Sequence, residues 1–287
     1  MKKNFQFQFG SIAYDLSLRT HIMGILNVTP DSFSDGGKYF NIEEASAHGV
    51  AMEKDGADFI DVGGESTRPG SEPVGVDEEM RRTIPLIEQL KKEIKIPISI
   101  DTTKSEVADA AFSAGAVMVN DISGFTFDSQ MAGVAARHHA TAVLMHTKGK
   151  PKTMQINPAY ENVTKEVLRF LSVQAESAKL AGVEQIIIDP GIGFGKTFEH
   201  NIRILKELAV FRTLGYPLLV GPSRKSFIGT ILNLPPHDRL EGTAAAAAAC
   251  IFNGAQVLRV HDVRAMKRIA LVSDILKPDA AGEFSGK

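Results

Sequence analysis

The chain has 287 residues, with 44% hydrophobic and 23% charged side chains, so it is long enough for one large domain or two modest ones. Its 32 Lys and Arg against 34 Asp and Glu create no global basic field that would favour nucleic acid or an anionic membrane. The single cysteine, Cys250, excludes an intrachain disulfide and a multi-cysteine zinc site. The longest apolar run, 244–252, is far shorter than the roughly 20 residues that span a bilayer. We therefore expect a soluble cytoplasmic protein that binds neither nucleic acid nor membrane.

The apolar pattern predicts a hairpin followed by eight strand–helix units. Residues 5–18 alternate between apolar and polar around Gly10-Ser11, which indicates a β-hairpin within an N-terminal extension, 1–20. Eight short runs rich in Ile, Val and Leu follow, as expected of parallel strands buried on both faces. These runs are 21–28, 59–63, 97–102, 117–122, 141–147, 185–190, 217–222 and 256–262. Stretches of helical periodicity between them are 41–55, 77–94, 104–114, 159–181 and 199–213.

This alternation indicates an α/β fold with a parallel sheet and right-handed crossovers. Eight units in a chain of this length favour a closed (β/α)8 TIM barrel over an open doubly wound sheet. We expect the hairpin to cap the bottom of the barrel and residues 278–287 to form a flexible tail. Four glycines that directly precede strands, 56, 115, 182 and 254, are typical of helix C-caps. No repeat or linker divides the sequence, so residues 1–287 are predicted to form one domain.

Each predicted barrel strand is an apolar run with a polar side chain at its C-terminal end. This end is where a barrel places its active site. Such buried groups are costly unless they face a ligand, water or each other. They are Asn27, Asp61, Asp101, Asn120, Asp121, His146, Asp189, Ser223 and His261. Two long loops rich in Gly and Pro, 29–40 and 63–76, are expected to act as mobile lids over this end.

Seven segments lie at these strand ends. They are MGILNVTPDSFSDGG (23–37), DVGGESTRPGS (61–71), SIDTT (99–103), NDISG (120–124), DPGIGFGK (189–196), GPSRKSF (221–227) and RVHDV (259–263). In these segments, and in their order, the chain resembles the bacterial dihydropteroate synthases, a pterin-binding family. The resemblance implies a transferase of folate biosynthesis, which condenses 6-hydroxymethyl-7,8-dihydropterin pyrophosphate with p-aminobenzoate to give 7,8-dihydropteroate and pyrophosphate. It also implies Mg²⁺, a sulfonamide target, and a homodimer formed through barrel helices.

Three strand-end residues suit a pterin, which presents a flat edge of N–H donors and ring acceptors. Carboxylates and amides can pair with that edge, as Asp101, Asn120 and Asp189 would. Either aspartate could instead cap the helix that follows it, because Asp is a preferred N-cap residue. The resemblance implies the pterin role for these three and for further residues: Ile122, Met145, Phe194, Lys225 and Arg259. Met145 and Phe194 could also be plain core.

The glycine-rich segment 191–197 invites comparison with nucleotide-binding loops. The Walker pattern fails because its first glycine would fall at Pro190. Glycines at every second residue, 191, 193 and 195, are not the dinucleotide fingerprint either. We expect glycine to let this loop lie close under a flat ligand.

The anionic leaving group needs local positive charge, because the whole chain is slightly negative. Arg259 lies within an apolar strand, where an unpaired charge is expensive, whereas His261 could equally be a neutral, hydrogen-bonded histidine. The resemblance assigns the pyrophosphate to Asn27, Arg68, Arg259 and His261. It also assigns Mg²⁺, which commonly bridges pyrophosphate oxygens, to Asn27. Asn27 could instead simply form a turn.

The second substrate completes the expected site. By resemblance p-aminobenzoate lies among Phe33, Thr67, Arg68, Pro69, Lys225 and Ser226, where sulfonamides would compete with it. We expect pyrophosphate to leave before the amine attacks, so that catalysis is mostly positioning and charge stabilisation. The resemblance gives Asp35, with Asp101 and Lys225, a catalytic role in stabilising the pterin cation. Asp35 could also be an ordinary turn residue before two glycines.

Two other functions fit parts of the pattern. A methyltetrahydrofolate methyltransferase has a similar pterin-binding barrel, but it holds no pyrophosphate and would not need Arg259, His261 or the SRKSF loop. A non-catalytic pterin-binding paralogue could lose Asp35, Arg68 or Lys225 freely, yet all three are present. The sequence therefore favours the synthase.

Overall fold

The computed structural model describes residues 4–28 and 41–277. The described chain begins with a two-stranded antiparallel hairpin, in which β1 (Gln6–Phe9) pairs with β2 (Ile12–Asp15) across a turn at Gly10. Gly10 adopts a φ of 60°, the left-handed region that such a tight turn favours. The predicted N-terminal hairpin is therefore confirmed. The predicted tail, 278–287, and the loop 29–40 lie outside the described residues.

Eight parallel strands form the second sheet. They are β3 (His21–Asn27), β4 (Phe59–Gly63), β5 (Ile98–Asp101), β6 (Met118–Asp121), β7 (Thr141–Met145), β8 (Ile186–Asp189), β9 (Leu219–Val220) and β10 (Val257–Val260). Their order is β8-β7-β6-β5-β4-β3-β10-β9, and a bridge between Ile188 and Leu218 brings the two edges together. The sheet is thus a nearly closed barrel, and the predicted TIM barrel is confirmed.

Helices connect the strands around the outside of the barrel. They are α1 (Ile42–Lys54), α2 (Val76–Glu93), α3 (Ser105–Ala114), α4 (Met131–Arg137), α5 (Val163–Leu180), α6 (Phe198–Lys206), α7 (Ser226–Leu232), α8 (Leu240–Phe252) and α9 (Val263–Leu276). The four glycines predicted as C-caps all adopt positive φ angles, between 97° and 123°. No helix within residues 4–28 and 41–277 has the length and apolar character needed to cross a membrane.

Two elements differ from the prediction. The single helix predicted over 199–213 is wrong in its second half, where Leu208–Leu214 form a 3-10 helix instead. Its two buried side chains, Leu208 and Phe211, are three residues apart, and a turn of three residues places both on one face. The strand predicted over 217–222 contains only Leu219–Val220. Leu218 forms an isolated bridge with Ile188, and its N–H donates to the side chain of Gln256.

The hairpin covers the bottom of the barrel, where the strands begin. Phe7 and Phe9 are buried there against the lower interior layer, and the ring of Phe9 meets the edge of Phe59 at 5.0 Å between centroids. The strand residues of this layer are Met23, Phe59, Met118, Val143, Ile187, Leu219 and Val257. Because apolar side chains fill the bottom, the opposite end of the barrel is left for polar chemistry.

Candidate active site

Arg259 joins two carboxylates at the C-terminal end of the barrel. Its Nε donates to Asp61 Oδ2 at 2.6 Å, and its Nη2 donates to Asp101 Oδ2 at 2.7 Å. Both aspartates are buried, and the Arg259 side chain is only 18% exposed. The charge in this apolar strand is therefore already balanced by protein carboxylates, so its position does not by itself call for a bound pyrophosphate.

Asp61 links this cluster to a neighbouring strand. Asn120 Nδ2 donates to the same Oδ2 of Asp61 at 2.9 Å. The other oxygen, Oδ1, is buried and has no partner among the described residues. Asp61 lies in the middle of β4 and not at its end, so the strand-end position expected for it is wrong. It was not among the predicted binding residues, because nothing in its sequence neighbourhood shows that it accepts from two donors.

Burial raises the pKa values of the two predicted pterin carboxylates. The pKa of Asp101 rises to about 7, with Arg259 opposing the shift and Asp61 adding to it. The pKa of Asp189 rises to about 6, opposed by the hydrogen bond from Gly191 N to its Oδ1 at 2.7 Å. Neither aspartate caps the following helix, because α3 begins after Lys104 and α6 begins after Thr197. The capping alternative is therefore wrong for both.

Lys225 lies beside these acids and over an aromatic ring. Its Nζ is 4.2 Å from the ring centroid of Phe194, a cation–π distance. Burial lowers the pKa of Lys225 to about 8, the charge of Arg259 adds to the lowering, and Asp189 and Asp101 oppose it. This ammonium thus lies over an aromatic face, and its pKa responds to the charges of two carboxylates in the same cluster.

An apolar patch flanks the polar groups. It consists of Ile122, Met145, Met154 and Phe194, all buried. Three of the four were predicted from the resemblance. Met154 was missed, since it lies in the loop between β7 and α5, where the sequence carries no period or motif that marks a side chain as inward-facing.

His261 is held by a neighbouring strand end. Its Nδ1 lies 3.0 Å from Ser223 Oγ, and burial lowers its pKa to about 4, with Arg259 and Arg224 adding to the lowering. The imidazole is therefore neutral at neutral pH. This hydrogen bond agrees with the neutral-histidine alternative, and the pyrophosphate role of His261 stays a prediction.

Three of the predicted residues, Thr67, Arg68 and Pro69, lie on the loop 63–76. Thr67 is half-buried, and Arg68 and Pro69 are exposed. Among the described residues, no hydrogen bond or ion pair joins Arg68 to Arg259 or its carboxylates. The base of the loop is fixed by Lys104, whose ammonium binds both Glu65 and the fully buried Glu79.

The far end of this loop touches another loop. Gly70 N donates to Pro151 O at 3.1 Å, and Lys152 forms an ion pair with Glu72 at 2.8 Å. The loop between β7 and α5 thus contacts the predicted p-aminobenzoate side, although no motif in the sequence assigns it there.

The remaining predicted residues are placed as follows. Asn27 ends β3 and is half-buried, with its Oδ1 3.3 Å from the position that a Cβ on Gly63 would occupy. Ser226 is exposed at the start of α7. Phe33 and Asp35 lie outside the described residues.

Glycine in the loop 190–195 is needed for a different contact from the one expected. A Cβ on Gly191 would lie 2.0 Å from His146 O, and one on Gly195 would lie 2.4 Å from Lys148 O. The close approach is therefore to the backbone that follows β7. At these two positions protein backbone already fills the space that a Cβ would need. The expectation that the loop lies close under a flat ligand stays a prediction.

Comparison with known proteins accounts for this combination of barrel and strand-end cluster. A family model described as pterin binding enzyme matches residues 23–261. The chain is 52% identical over 270 residues to the dihydropteroate synthase of Synechocystis sp.. The aligned residues cover 93% of each chain. The chain belongs to the dihydropteroate synthase family. It is therefore an enzyme, a transferase, and the resemblance carried by the seven segments is confirmed.

Solved structures of the family agree with the fold. The dihydropteroate synthase of Yersinia pestis, solved in a sulfonamide drug complex, has a TM-score of 0.89 at 39% identity and covers 95% of this chain and 99% of that one. The Xanthomonas albilineans dihydropteroate synthase, solved with 4-aminobenzoic acid, has a TM-score of 0.90 at 40% identity and covers 97% and 100%. One of these two relatives was thus solved with a sulfonamide and the other with an aminobenzoate.

Proposed function

We propose that this enzyme condenses 6-hydroxymethyl-7,8-dihydropterin pyrophosphate with p-aminobenzoate, using the cluster around Arg259. The observation that carries the proposal is the convergence of Asp101, Asp189 and Lys225 on one end of the barrel, with Asn120 joined to them through Asp61. A flat heterocycle with an edge of donors and acceptors fits between these groups and the apolar patch.

The pterin edge pairs with the acids and the amide. Asp101 and Asp189 accept its N–H groups as carboxylates, and Asn120 supplies an amide with both a donor and an acceptor. Ile122, Met145 and Phe194 contact the ring faces. Lys225 reaches the ring and the p-aminobenzoate side, and its charge stays close to the reacting centre.

The pyrophosphate lies towards Asn27 and His261. With Nδ1 of His261 turned to Ser223, its Nε2 remains to donate to a phosphate oxygen. Arg259 contributes less positive charge than its type suggests, because Asp61 and Asp101 already neutralise it. Arg68, on its exposed loop, then supplies a larger share.

Mg²⁺ fits this arrangement through Asn27. A carboxamide oxygen is a ligand that Mg²⁺ accepts, and a cation that keeps several waters and binds phosphate oxygens needs few protein ligands. When bound, the metal offsets the negative charge of the leaving group. Asn27 would hold it, and His261 would orient the phosphate oxygens beside it.

The reaction proceeds in two steps. The bond between the exocyclic methylene carbon and the pyrophosphate oxygen breaks first, and its electron pair leaves with pyrophosphate. The amine lone pair of p-aminobenzoate then forms the carbon–nitrogen bond, and the ammonium proton passes to water. Asp35 stabilises the intermediate cation, while Asp101 and Lys225 hold the ring that delocalises it.

The p-aminobenzoate pocket is assigned to Phe33, Thr67, Pro69 and Ser226, with Arg68 and Lys225 for the carboxylate. Sulfonamides share the shape and charge of p-aminobenzoate, so they compete for this pocket. A sulfamethoxazole titration tests the assignment. We expect inhibition that rising p-aminobenzoate relieves, and a lack of inhibition at competing concentrations would show that the pocket lies elsewhere.

A calorimetric titration tests the activity itself. Pterin pyrophosphate should bind alone, and adding p-aminobenzoate should release pyrophosphate. Binding without release would favour a non-catalytic pterin-binding protein, and methyl transfer from methyltetrahydrofolate would favour a methyltransferase. Asp101→Asn should weaken pterin binding at least tenfold, whereas Asp109→Asn, on the exposed face of α3, should not. Wild-type turnover and affinity in Asp101→Asn would refute its role.

A cytoplasmic location and a homodimer belong to the same proposal. The support for a dimer among the described residues is an exposed apolar face on α9. Its side chains are Leu271, Val272, Ile275 and Leu276, which recur at helical spacing.

A further inference from the structure

Lys196 is a buried lysine whose role neither the sequence pattern nor the reaction explains. Burial lowers its pKa to about 7, and the charge of Asp189 opposes this lowering. Its side chain lies at the end of the loop 190–195, and the residue is only 2% exposed. Its Nζ lies 2.8 Å from Gly191 O, 2.9 Å from Phe194 O, 3.2 Å from His146 O and 3.0 Å from His146 Nδ1. These four acceptors outnumber the three N–H donors of a lysine ammonium, so no donor is left over for a substrate.

These contacts join two parts of the barrel rim. Gly191 and Phe194 belong to the loop after β8, whereas His146 directly follows β7. The approach is so close that neither Gly191 nor Gly195 has room for a Cβ. The carbonyl oxygens of His146, Gly191 and Phe194 converge on one buried position. The ammonium of Lys196 occupies it, and its hydrogen bonds make the close packing of these oxygens favourable.

The same loop positions two groups of the pterin site. Gly191 N donates to Asp189 Oδ1, while Gly191 O accepts from Lys196, so the peptide units flanking one residue connect the ammonium to the carboxylate. Phe194 O also accepts from Lys196, and the Phe194 ring lies under Lys225 Nζ. A shift of this loop would move both Asp189 and the aromatic face.

The outer side of the loop is held more weakly. Gln155 Nε2 donates to Gly193 O at 2.6 Å, and Tyr160 Oη donates to Gly195 O at 2.7 Å. Gln155 is exposed. Each outer contact is a single hydrogen bond, whereas Lys196 Nζ makes several in the interior.

We propose that Lys196 is a positioning residue for the pterin site, whose buried ammonium fixes Asp189 and Phe194 by holding the loop 190–195 against the end of β7. The inference depends on the proposed function only for the identity of the ligand. Lys196 itself touches no substrate, and its effect is on affinity for the pterin.

The test replaces the ammonium with an apolar chain of similar length, Lys196→Met. We expect the KM for pterin pyrophosphate to rise at least tenfold, while the KM for p-aminobenzoate at saturating pterin stays within twofold and kcat within threefold. The matched control is Lys206→Met, an exposed lysine on the following helix, which should change none of these. An unchanged pterin KM, or a fall in kcat alone, would overturn the proposal.

Amide hydrogen exchange supplies a readout that needs no substrate. Peptides covering 190–196 should exchange faster in Lys196→Met than in wild type, and unchanged exchange would overturn the proposal. If the wild-type protein failed to turn over these substrates, the proposed function would be wrong. The hydrogen-exchange comparison of wild type with Lys196→Met would still decide the role of Lys196. Should the Met variant not fold, Lys196→Gln retains two donors and should show a smaller rise in pterin KM, and wild-type behaviour there would count against the proposal.

Discussion

Asp61 and Arg259 are 198 positions apart in the chain, and their side chains meet at 2.6 Å between Asp61 Oδ2 and Arg259 Nε. The same oxygen accepts from Asn120, so one buried carboxylate fixes a cation and an amide on two other strands. Asp61 thereby sets the orientation of groups that face the pterin, although it was not predicted to bind it.

Asp61→Asn should therefore change both stability and the pH dependence of binding. Removing one charge from a buried pair costs about 3 kcal/mol of unfolding free energy. The charge of Asp61 helps to raise the pKa of Asp101, so the variant should have a lower Asp101 pKa. Urea unfolding and pterin titrations between pH 5 and 8 measure the two effects. A pterin-binding curve that keeps its acid midpoint would contradict this account.

The pH dependence of pterin binding follows from the two raised carboxyl pKa values. The pterin N–H groups need carboxylates, and Asp101 and Asp189 take up protons below about pH 7 and 6. Affinity for 6-hydroxymethylpterin, which has no phosphate to titrate, should be at least about tenfold weaker at pH 5 than at pH 7.5. Calorimetry at the two values checks this, and equal affinity would mean that neither acid accepts from the ligand.

The same carboxyl groups affect the stability of the free protein. A carboxyl whose folded pKa exceeds its unfolded value binds its proton more tightly when folded. Its contribution to the free energy of unfolding is therefore greatest at low pH and is lost as pH rises from about 4 towards 7. An aspartate with a lowered pKa has the opposite pH dependence. Asp101→Asn has no carboxyl that titrates at this position. The unfolding free energy measured against pH should therefore lose the contribution of Asp101.

Lys104→Met should destabilise the base of the loop 63–76. Glu79 is fully buried, and Lys104 is the cation that binds it, so its loss should cost about 3 kcal/mol. Because burial already raises the pKa of Glu79, the penalty should shrink as pH falls and the carboxyl takes up a proton. Thermal or urea unfolding at pH 5 and 7.5, with the exposed Lys92→Met as control, measures it; a pH-independent penalty would oppose this explanation.

Phe9→Ala should weaken the protein without altering its chemistry. Phe9 is buried under the barrel against Phe59, and truncation of a buried Phe costs about 3–5 kcal/mol. The active site lies at the opposite end, so kcat of the folded enzyme should be unchanged. Leu18→Ala, at a side chain 79% exposed, is the control. A variant as stable as wild type would show that the hairpin is not a structural cap.

Ile275→Asp tests the proposed dimer. This side chain is 75% exposed on the apolar face of α9, and a charge there should be tolerated in a monomer but not in an interface. We expect sedimentation at micromolar concentration to show a dimer for wild type and a monomer for the variant. Ile156→Asp, at an exposed loop position, should remain dimeric. A monomeric wild type would remove the dimer from the proposal.

The sequence by itself determined the elements and where the chemistry collects. Alternation around Gly10 indicated the hairpin, and apolar runs ending in polar residues indicated the barrel and its functional end, because burial on both faces and strand-end polarity are local properties of the chain. Short-range signals failed where packing decided the outcome, as in the 3-10 helix over Leu208–Leu214.

Only the tertiary structure decided which charges are paired. Closure of the barrel places β10 beside β3, so that Arg259 meets Asp61 and Asp101, and it encloses Lys196 among carbonyls from two loops. It also made His261 neutral through burial. Partner choice and desolvation depend on residues far apart in the chain, and no local pattern records them.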